Sequence, residues 1–359
     1  MMNSSDSLSS GWTVEHARDW HTKVGWLVGC NYCPAYAINQ LEMWQAETYD
    51  LTAINRELGW AAGIGFNCMR VFLHDLLYRH DRDGFFHRFD RFLDASIAHG
   101  ITIMPVFFDS CWHPFPSLGP QRPPEPGVHN SGWVQSPGVT VLRDADRFDQ
   151  MESYVREFVR RYRSDQRVSV WDVWNEPDNP NTHAYGPRDL GNAKQEIVIP
   201  LLLKAFEWVR SESPIQPLTS GIWLGNWSSQ DTLRPVEQTQ IAGSDVISFH
   251  NYTGPAELES RIHQLARYER PMLCTEFMAR GAGSTFIDCL PVLHRHRVGA
   301  LCWGLVKGKT QTHLPWDSWQ RPYVDGDPNP WFHEVFHPDG SPYDPQETAL
   351  ISELASSRI

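Results

Sequence analysis

The sequence is short of basic charge: 31 Lys and Arg stand against 43 Asp and Glu, a formal net charge of −12 at pH 7. Such a balance argues against a nucleic-acid partner, because little here would displace counterions from a phosphate backbone. It argues equally against an anionic membrane surface. No apolar run is long enough to span a bilayer. There is no Gly/Ser linker, low-complexity tract or repeat of solenoid period, so nothing divides the chain. Cysteine is sparse and odd in number, seven in 359 residues, which does not make a disulfide framework. Cys30 and Cys33 form a lone C-x-x-C with no partner pair, whereas structural zinc usually needs four convergent ligands. Cys30, Cys68, Cys274 and Cys302 fall in predicted strands, where cysteine behaves as a small apolar residue. Residues 1–10 are polar and lack the basic and apolar regions of a secretory signal, so the expected location is cytoplasmic.

What is present is apolar bulk. Hydrophobic residues make up 41% of the chain and aromatic residues 12%, enough for one large core. The expectation is a polar tail over 1–10 and a single domain over 11–359. Apolar runs rich in β-branched and aromatic residues read as strands at 25–32, 66–73, 101–108, 168–174, 217–223, 245–252, 271–277 and 298–305. Pro105 lies inside the third and argues against its regularity. Helical patterns fall between them, at 51–62, 86–99, 147–163, 190–211, 229–242, 257–268 and 284–296, with a last helix at 345–355. Eight β-then-α units imply a (β/α)8 TIM barrel with long loops after strands three and eight. A doubly wound sheet is the alternative. The barrel is preferred because polar residues suited to chemistry sit at many strand ends, not at one switch point.

Strand four carries the most information. Val168-Ser169-Val170-Trp171-Asp172-Val173-Trp174 runs into Asn175-Glu176-Pro177. Pro177 has no backbone N–H and ends regular pairing, which fixes Glu176 at the C-terminal lip of a buried strand. Strand seven ends the same way in Cys274-Thr275-Glu276-Phe277. Cleaving a glycosidic bond with retention needs two carboxyl groups about 5–5.5 Å apart. The ends of strands four and seven face each other across a closed barrel. Two glutamates so placed suggest a retaining glycosidase.

Around those motifs the chain resembles the glycoside hydrolase clan A barrels, especially the cellulase-like enzymes of family 5. The resemblance covers residues 25–316. It rests on Asn175-Glu176-Pro177 after strand four, Glu276 ending strand seven, Arg70 in strand two, His250-Asn251-Tyr252 after strand six, and Trp303 in strand eight. The resemblance implies that Glu176 is the acid/base and Glu276 the nucleophile. It also implies that Asn175 meets the sugar 2-hydroxyl and that Arg70 and Tyr252 hold Glu276 ionised. His250 would orient the acid or touch the sugar, and Trp303 would offer a ring face to the sugar's C–H bonds. Each residue alone has an ordinary reading: a turn, a solvated strand end, a satisfied core histidine, a core tryptophan. Five strand ends carrying the expected types in order favour catalysis.

Other candidates are weaker. His74, followed by Asp75 after strand two, either contacts substrate or caps the strand end. Asp109 ends strand three, with Trp112 and His113 following at a good subsite position. Trp223 closes strand five. The long loops add Phe115, Trp133, Trp316 and Trp319, with Trp227 beyond strand five; some of these rings would face sugar and others would pack the loops. Lys307 or Lys309 is expected to line the pocket rim. Asp81-Arg82-Asp83-Gly84 reads as a turn, since the remaining calcium-loop ligands are missing. No metal or cofactor is called for. The expected partner is a β-linked short oligosaccharide or small glycoside, cut from an end. The same carboxylates would serve a transglycosidase, and a non-catalytic sugar-binding barrel would keep the aromatics.

Overall fold

The computed structural model describes residues 11–182 and 184–357; the polar tail expected over residues 1–10 lies outside the described residues. Eight parallel strands form its centre: β1 Val28–Asn31, β2 Cys68–Phe72, β3 Thr102–Asp109, β4 Trp171–Asn175, β5 Leu218–Thr219, β6 Ile247–His250, β7 Met272–Phe277 and β8 Gly299–Trp303. They pair in the order β5-β4-β3-β2-β1-β8-β7-β6. The ring closes through a parallel bridge between Ile222 and Phe249, where Ile222 N–H donates to Ser248 at 3.1 Å and His250 N–H donates to Ile222 at 3.0 Å. The result is the expected (β/α)8 barrel. Among the described residues no helix is long and apolar enough to cross a membrane.

Alternate residues of a strand share a face, and this period builds the barrel interior in layers. Leu27, Cys68, Met104, Val170, Val246, Leu273 and Leu301 meet in one apolar cluster, which Trp20 of the helix Val14–Val24 joins. Two residues further along their strands come Arg70, Asp172, Thr275 and Trp303, and four further along come Asn31 and His250. An apolar floor thus lies beneath a polar layer at the C-terminal mouth. Gly29 is required where β1 meets β2, since a Cβ there would fall 1.7 Å from the Cys68 carbonyl oxygen.

The outer helices bury one stripe each. In the helix Asp149–Tyr162 the buried residues are Met151, Tyr154, Val155, Phe158, Val159 and Tyr162, a 3.6-residue period facing the sheet. Fully burying a side chain such as Phe158 contributes about 1.5–3 kcal/mol.

Three sequence expectations change. β5 is only Leu218–Thr219, because beyond Ser220 the chain leaves the ladder and returns for the single Ile222 bridge. The helix expected at 86–99 extends over Asp75–Ala98, with a break at Asp81 (φ −143°, ψ 63°). The Asp81 carboxylate accepts from Gly84 N–H at 3.2 Å and from Arg88 at 2.9 Å, so the supposed turn starts a second helical half. Pro105 does not interrupt β3, which pairs continuously with β2 from Cys68 to Phe72. All seven cysteines are free, Cys30 and Cys33 included.

Candidate active site

Glu176 follows β4 directly with a left-handed backbone (φ 42°), and the kink with Pro177 turns its side chain into the barrel mouth. Such strain in a residue other than glycine costs on the order of 1–3 kcal/mol and concentrates at functional sites. Glu276, inside the last turn of the β7 pleat, approaches from across the ring. Both are buried, at 7% and 5% exposure. One oxygen of each, with a ring nitrogen of His250, falls in a trio whose atoms all lie within 4.8 Å of one another.

Their surroundings differ. Glu276 Oε1 accepts from the Arg70 guanidinium at 3.0 Å and Oε2 from the Tyr252 hydroxyl at 2.7 Å. Among the described residues Glu176 meets no Lys or Arg at that distance. Its Oε2 accepts from Asn179 at 2.6 Å and from the Cys111 thiol at 3.2 Å, and its Oε1 lies 2.8 Å from His250 Nδ1. Burial pushes the Glu176 carboxyl up to about 7, against the pull of the Asn179 and Cys111 donors. Burial also raises Glu276, with the Glu176 charge adding and Arg70 and Tyr252 opposing. Desolvation holds His250 down to about 4, so its ring is neutral near pH 7. One carboxyl is thus disposed to keep a proton, while two firm donors favour the anion of the other.

Arg70 is the hub beneath. Fully buried, it bonds Asp172 through Nε at 2.9 Å, Asn31 Oδ1 at 2.7 Å and Asn175 Oδ1 at 2.8 Å besides Glu276. One side chain of β2 therefore ties β1, β4 and β7. Sequence reasoning missed Asp172, although a carboxylate inside an apolar strand signals a buried cationic partner. Cys111, Asn179 and Asn31 were also missed; being short and neutral, they carry no such signal.

The cavity over these groups encloses about 240 Å³. Of the residues expected at the site, Glu176, Glu276, Asn175, Tyr252, Trp303, Trp112 and Trp223 line it. Arg70 and His250 lie just under its floor, in contact with the carboxylates. Trp112 stacks on Trp319 (5.4 Å, 13°), and the Trp223 indole donates to Asp178 at 2.8 Å.

Three expectations fail on placement. Asp109 lies below the cavity, 1% exposed, its carboxylate accepting from Trp133 at 2.6 Å, Asn175 at 3.0 Å and the Cys111 N–H at 3.0 Å. It orients Asn175 and has no free edge for a sugar. His74 is fully buried and caps the helix Asp75–Ala98, with Nδ1 accepting from Leu76 N–H at 3.2 Å. Lys307 pairs with Asp327, and Lys309 pairs with Glu42 at 2.6 Å, so neither reaches the cavity wall. Of the loop aromatics, Trp133 and Trp227 are among those that pack, at 2% and 0% exposure.

A metal ion fits poorly at the Glu176–His250–Glu276 trio: both Glu276 oxygens already accept hydrogen bonds, and the Arg70 guanidinium would repel a second cation at contact distance. Glu259, His263 and His296 form a second trio on the outer helical surface, where Glu259 Oε1 already serves Arg295 at 2.8 Å.

No protein-family model matches the sequence, and a search of curated proteins finds no match. Solved structures do resemble it. The exo-beta-1,4-mannosidase Op5Man5 from Opitutaceae bacterium strain TAV5 superposes with a TM-score of 0.59 at 19% identity, over 92% of this chain; the match spans only 59% of that longer chain. A GH5_18 protein from Bifidobacterium longum subsp. longum, in complex with Manb1-4GlcNAc, gives 0.59 at 14% identity over 92% of this chain and 78% of its own. The endo-1,4-beta-D-mannanase of Thermotoga petrophila RKU-1 gives 0.54 at 14% identity over 92% and 99%. At such identities the likeness establishes the fold: the chain is a (β/α)8 barrel of the shape these solved structures share.

Proposed function

We propose that the protein is a retaining β-glycosidase of glycoside hydrolase clan A, family 5, acting on short β-mannosides from an end. The observation that carries this reading is the pair Glu176 and Glu276, convergent at one barrel mouth yet differently solvated. Glu276, facing Arg70 and Tyr252, attacks the anomeric carbon as the leaving oxygen takes the proton of Glu176. The glycosidic C–O bond breaks and a glycosyl ester forms on Glu276. Glu176, now a carboxylate, takes a proton from water, whose oxygen displaces the ester and returns both groups to their starting states. His250, neutral, holds Oε1 of Glu176. The mannoside assignment is supported by the three solved neighbours, each of which acts on or holds a mannoside by its own description. End-on cleavage is supported by Trp112 and Trp316, which line the cavity from the loops after β3 and β8, with Trp319 stacked on Trp112.

The test is kinetic. With p-nitrophenyl β-mannoside, Glu276→Ala should abolish turnover, and azide should restore it with an inverted product. Glu176→Ala should slow substrates with poor leaving groups by about 10²–10⁴-fold, with azide giving the retained product. Full activity in Glu276→Ala would remove the nucleophile assignment.

A further inference from the structure

One buried ion pair takes no part in the chemistry described so far. Lys194, the first residue of the helix Lys194–Ser211, meets Asp189 at 2.6 Å, with both side chains fully buried. Taking two charges out of water is expensive, and further hydrogen bonds must offset it. Here they do. Lys194 Nζ also donates to the Ser110 carbonyl at 3.1 Å and to Gln135 Oε1 at 3.4 Å. Asp189 Oδ2 also accepts from Gln135 at 2.8 Å and from Asn181 Nδ2 at 2.6 Å. Asn181 is held from the other side as well: its Oδ1 accepts from Trp112 N–H at 2.7 Å, and its Nδ2 reaches the Ser110 carbonyl at 2.8 Å. The pair thus fixes the loop after β4 against the loop after β3, with Asn181 in a left-handed conformation (φ 48°).

The chain of contacts runs on to the acid. Asn181 N–H donates to Asn179 Oδ1 at 2.9 Å. That bond decides which way the Asn179 amide faces: with its oxygen taken, the Nδ2 end turns to Glu176 and donates to Oε2 at 2.6 Å. Asn179 N–H closes the turn on the Glu176 carbonyl at 3.0 Å. With Asn179 on Oε2 and His250 on Oε1, the carboxyl plane of Glu176 is held at both oxygens. We infer that Asn179 is a positioning residue for the acid Glu176, aimed through Asn181 by the buried Lys194–Asp189 pair. This deepens the proposed glycosidase reading and rests on it. No bond to the sugar passes through Asn179. It sets where the acid stands relative to the leaving oxygen, and a misplacement of about 1 Å there can cost on the order of 10²-fold. As an N–H donor it also favours the anion of Glu176. The other titratable and charged groups facing Glu176 are Cys111, Asp178, Arg70, His250, Tyr252 and Glu276.

The test compares kcat/KM on β-1,4-mannobiose, whose leaving alcohol needs the proton, with p-nitrophenyl β-mannoside, whose leaving group needs little of it. The variants leave all six facing groups in place. Asn179→Ala should slow the disaccharide about 10²-fold, slow the aryl glycoside much less, and move the alkaline limb to higher pH. Asn179→Asp keeps the shape and the acceptor for Asn181 N–H, but sets a carboxylate oxygen where the donor was. It should move the limb at least as far, whereas a merely structural Asn179 would be rescued by it. Wild-type leaving-group dependence and an unmoved limb in Asn179→Asp would overturn the assignment, as would equal slowing of both substrates in Asn179→Ala. Asn181→Gly keeps the left-handed backbone and its N–H while cutting the links to Asp189, Ser110 and Trp112. Lys194→Met combined with Asp189→Leu, which leaves no lone buried charge, cuts the chain at its far end. Both should move the limb the same way as Asn179→Ala, and an unmoved limb in either would overturn the anchoring role of the pair. Should the wild-type protein cleave neither substrate, the hydrolase reading fails separately. A ¹³C NMR titration of the glutamate carboxyls, with Glu176→Gln assigning the signal, then decides the inference: a Glu176 titration raised by Asn179→Ala upholds it, and an unmoved one removes it.

Discussion

His250 Nδ1 lies 2.8 Å from Oε1 of Glu176, with both side chains buried. Because desolvation holds the imidazole down to about 4, the contact joins a neutral ring to a carboxyl group across the neutral pH range. No imidazolium charge is there to strip the proton from Glu176. The acid therefore keeps its proton toward pH 7, where burial has raised it.

Activity should consequently follow a bell in pH. Glu176 must be protonated, so kcat/KM on a disaccharide, whose leaving alcohol needs the proton, should fall as pH rises through about 7. Glu276 must be ionised, and burial raises it above its usual 4.5, so the acid limb should stand above that value. A rate still climbing at pH 9 would contradict the assignment of Glu176 as the acid.

Cys111 should tune the alkaline limb. Its thiol donates to Glu176 Oε2 at 3.2 Å and favours the anion. Cys111→Ala removes that donor, so the limb should move to higher pH while the acid limb stays in place. An unshifted pH profile would reduce the thiol to mere packing.

Arg70 should carry stability as well as activity. Its removal leaves Asp172 and Glu276 without their cation in a buried layer. Arg70→Met should lose about 3–5 kcal/mol in urea unfolding at pH 7. Arg70→Lys should recover little of it, because an ammonium cannot span Asp172, Asn31, Asn175 and Glu276 with one planar fork. A Lys variant with wild-type stability would show the network to be replaceable.

Much of this arrangement was legible in the sequence, for reasons that can be named. Strands buried on both faces read as apolar runs, and a charged or amide residue ending such a run stands out, as Asn175, Glu176 and Glu276 do. β5 was overlong because Ile222 and Trp223 carry the apolar pattern on past Ser220-Gly221, and only three-dimensional closure decides how far it pairs. His74 and Asp109 sit at strand ends like the site residues. What distinguishes them is that neighbours distant in sequence, Ser136 beside Asp75 and Trp133 on Asp109, fill the space a sugar would need. The lysines after β8 were misjudged because their partners, Glu42 in the helix Gln40–Trp44 and Asp327 further along the same connection, are too far away in sequence to be read as partners.

Outside the site, Glu334 and Glu57 should make stability fall with rising pH. Glu334 has a left-handed backbone (φ 72°), is 1% exposed, and accepts from Thr312 while its Oε2 has no partner among the described residues. Burial raises it to about 8. Glu57, holding the Tyr32 hydroxyl at 2.9 Å, is raised by burial to about 7. A carboxyl raised in the folded state binds its proton more tightly there than in the unfolded chain. Its contribution is full below the unfolded value near 4.5 and is lost as pH climbs through 7 and 8. For Glu334 alone the loss between pH 5 and pH 9 is on the order of 4 kcal/mol. Urea unfolding at these two pH values should show the wild-type protein weakening toward pH 9. Glu334→Gln, which keeps the shape and cannot ionise, should weaken markedly less, with Gly304 still leaving room for the side chain, as a Cβ there would fall 2.6 Å from Oε2. Parallel losses in the two proteins would mean that Glu334 ionises without cost, and that the side chain is less shielded than its surroundings in the fold require.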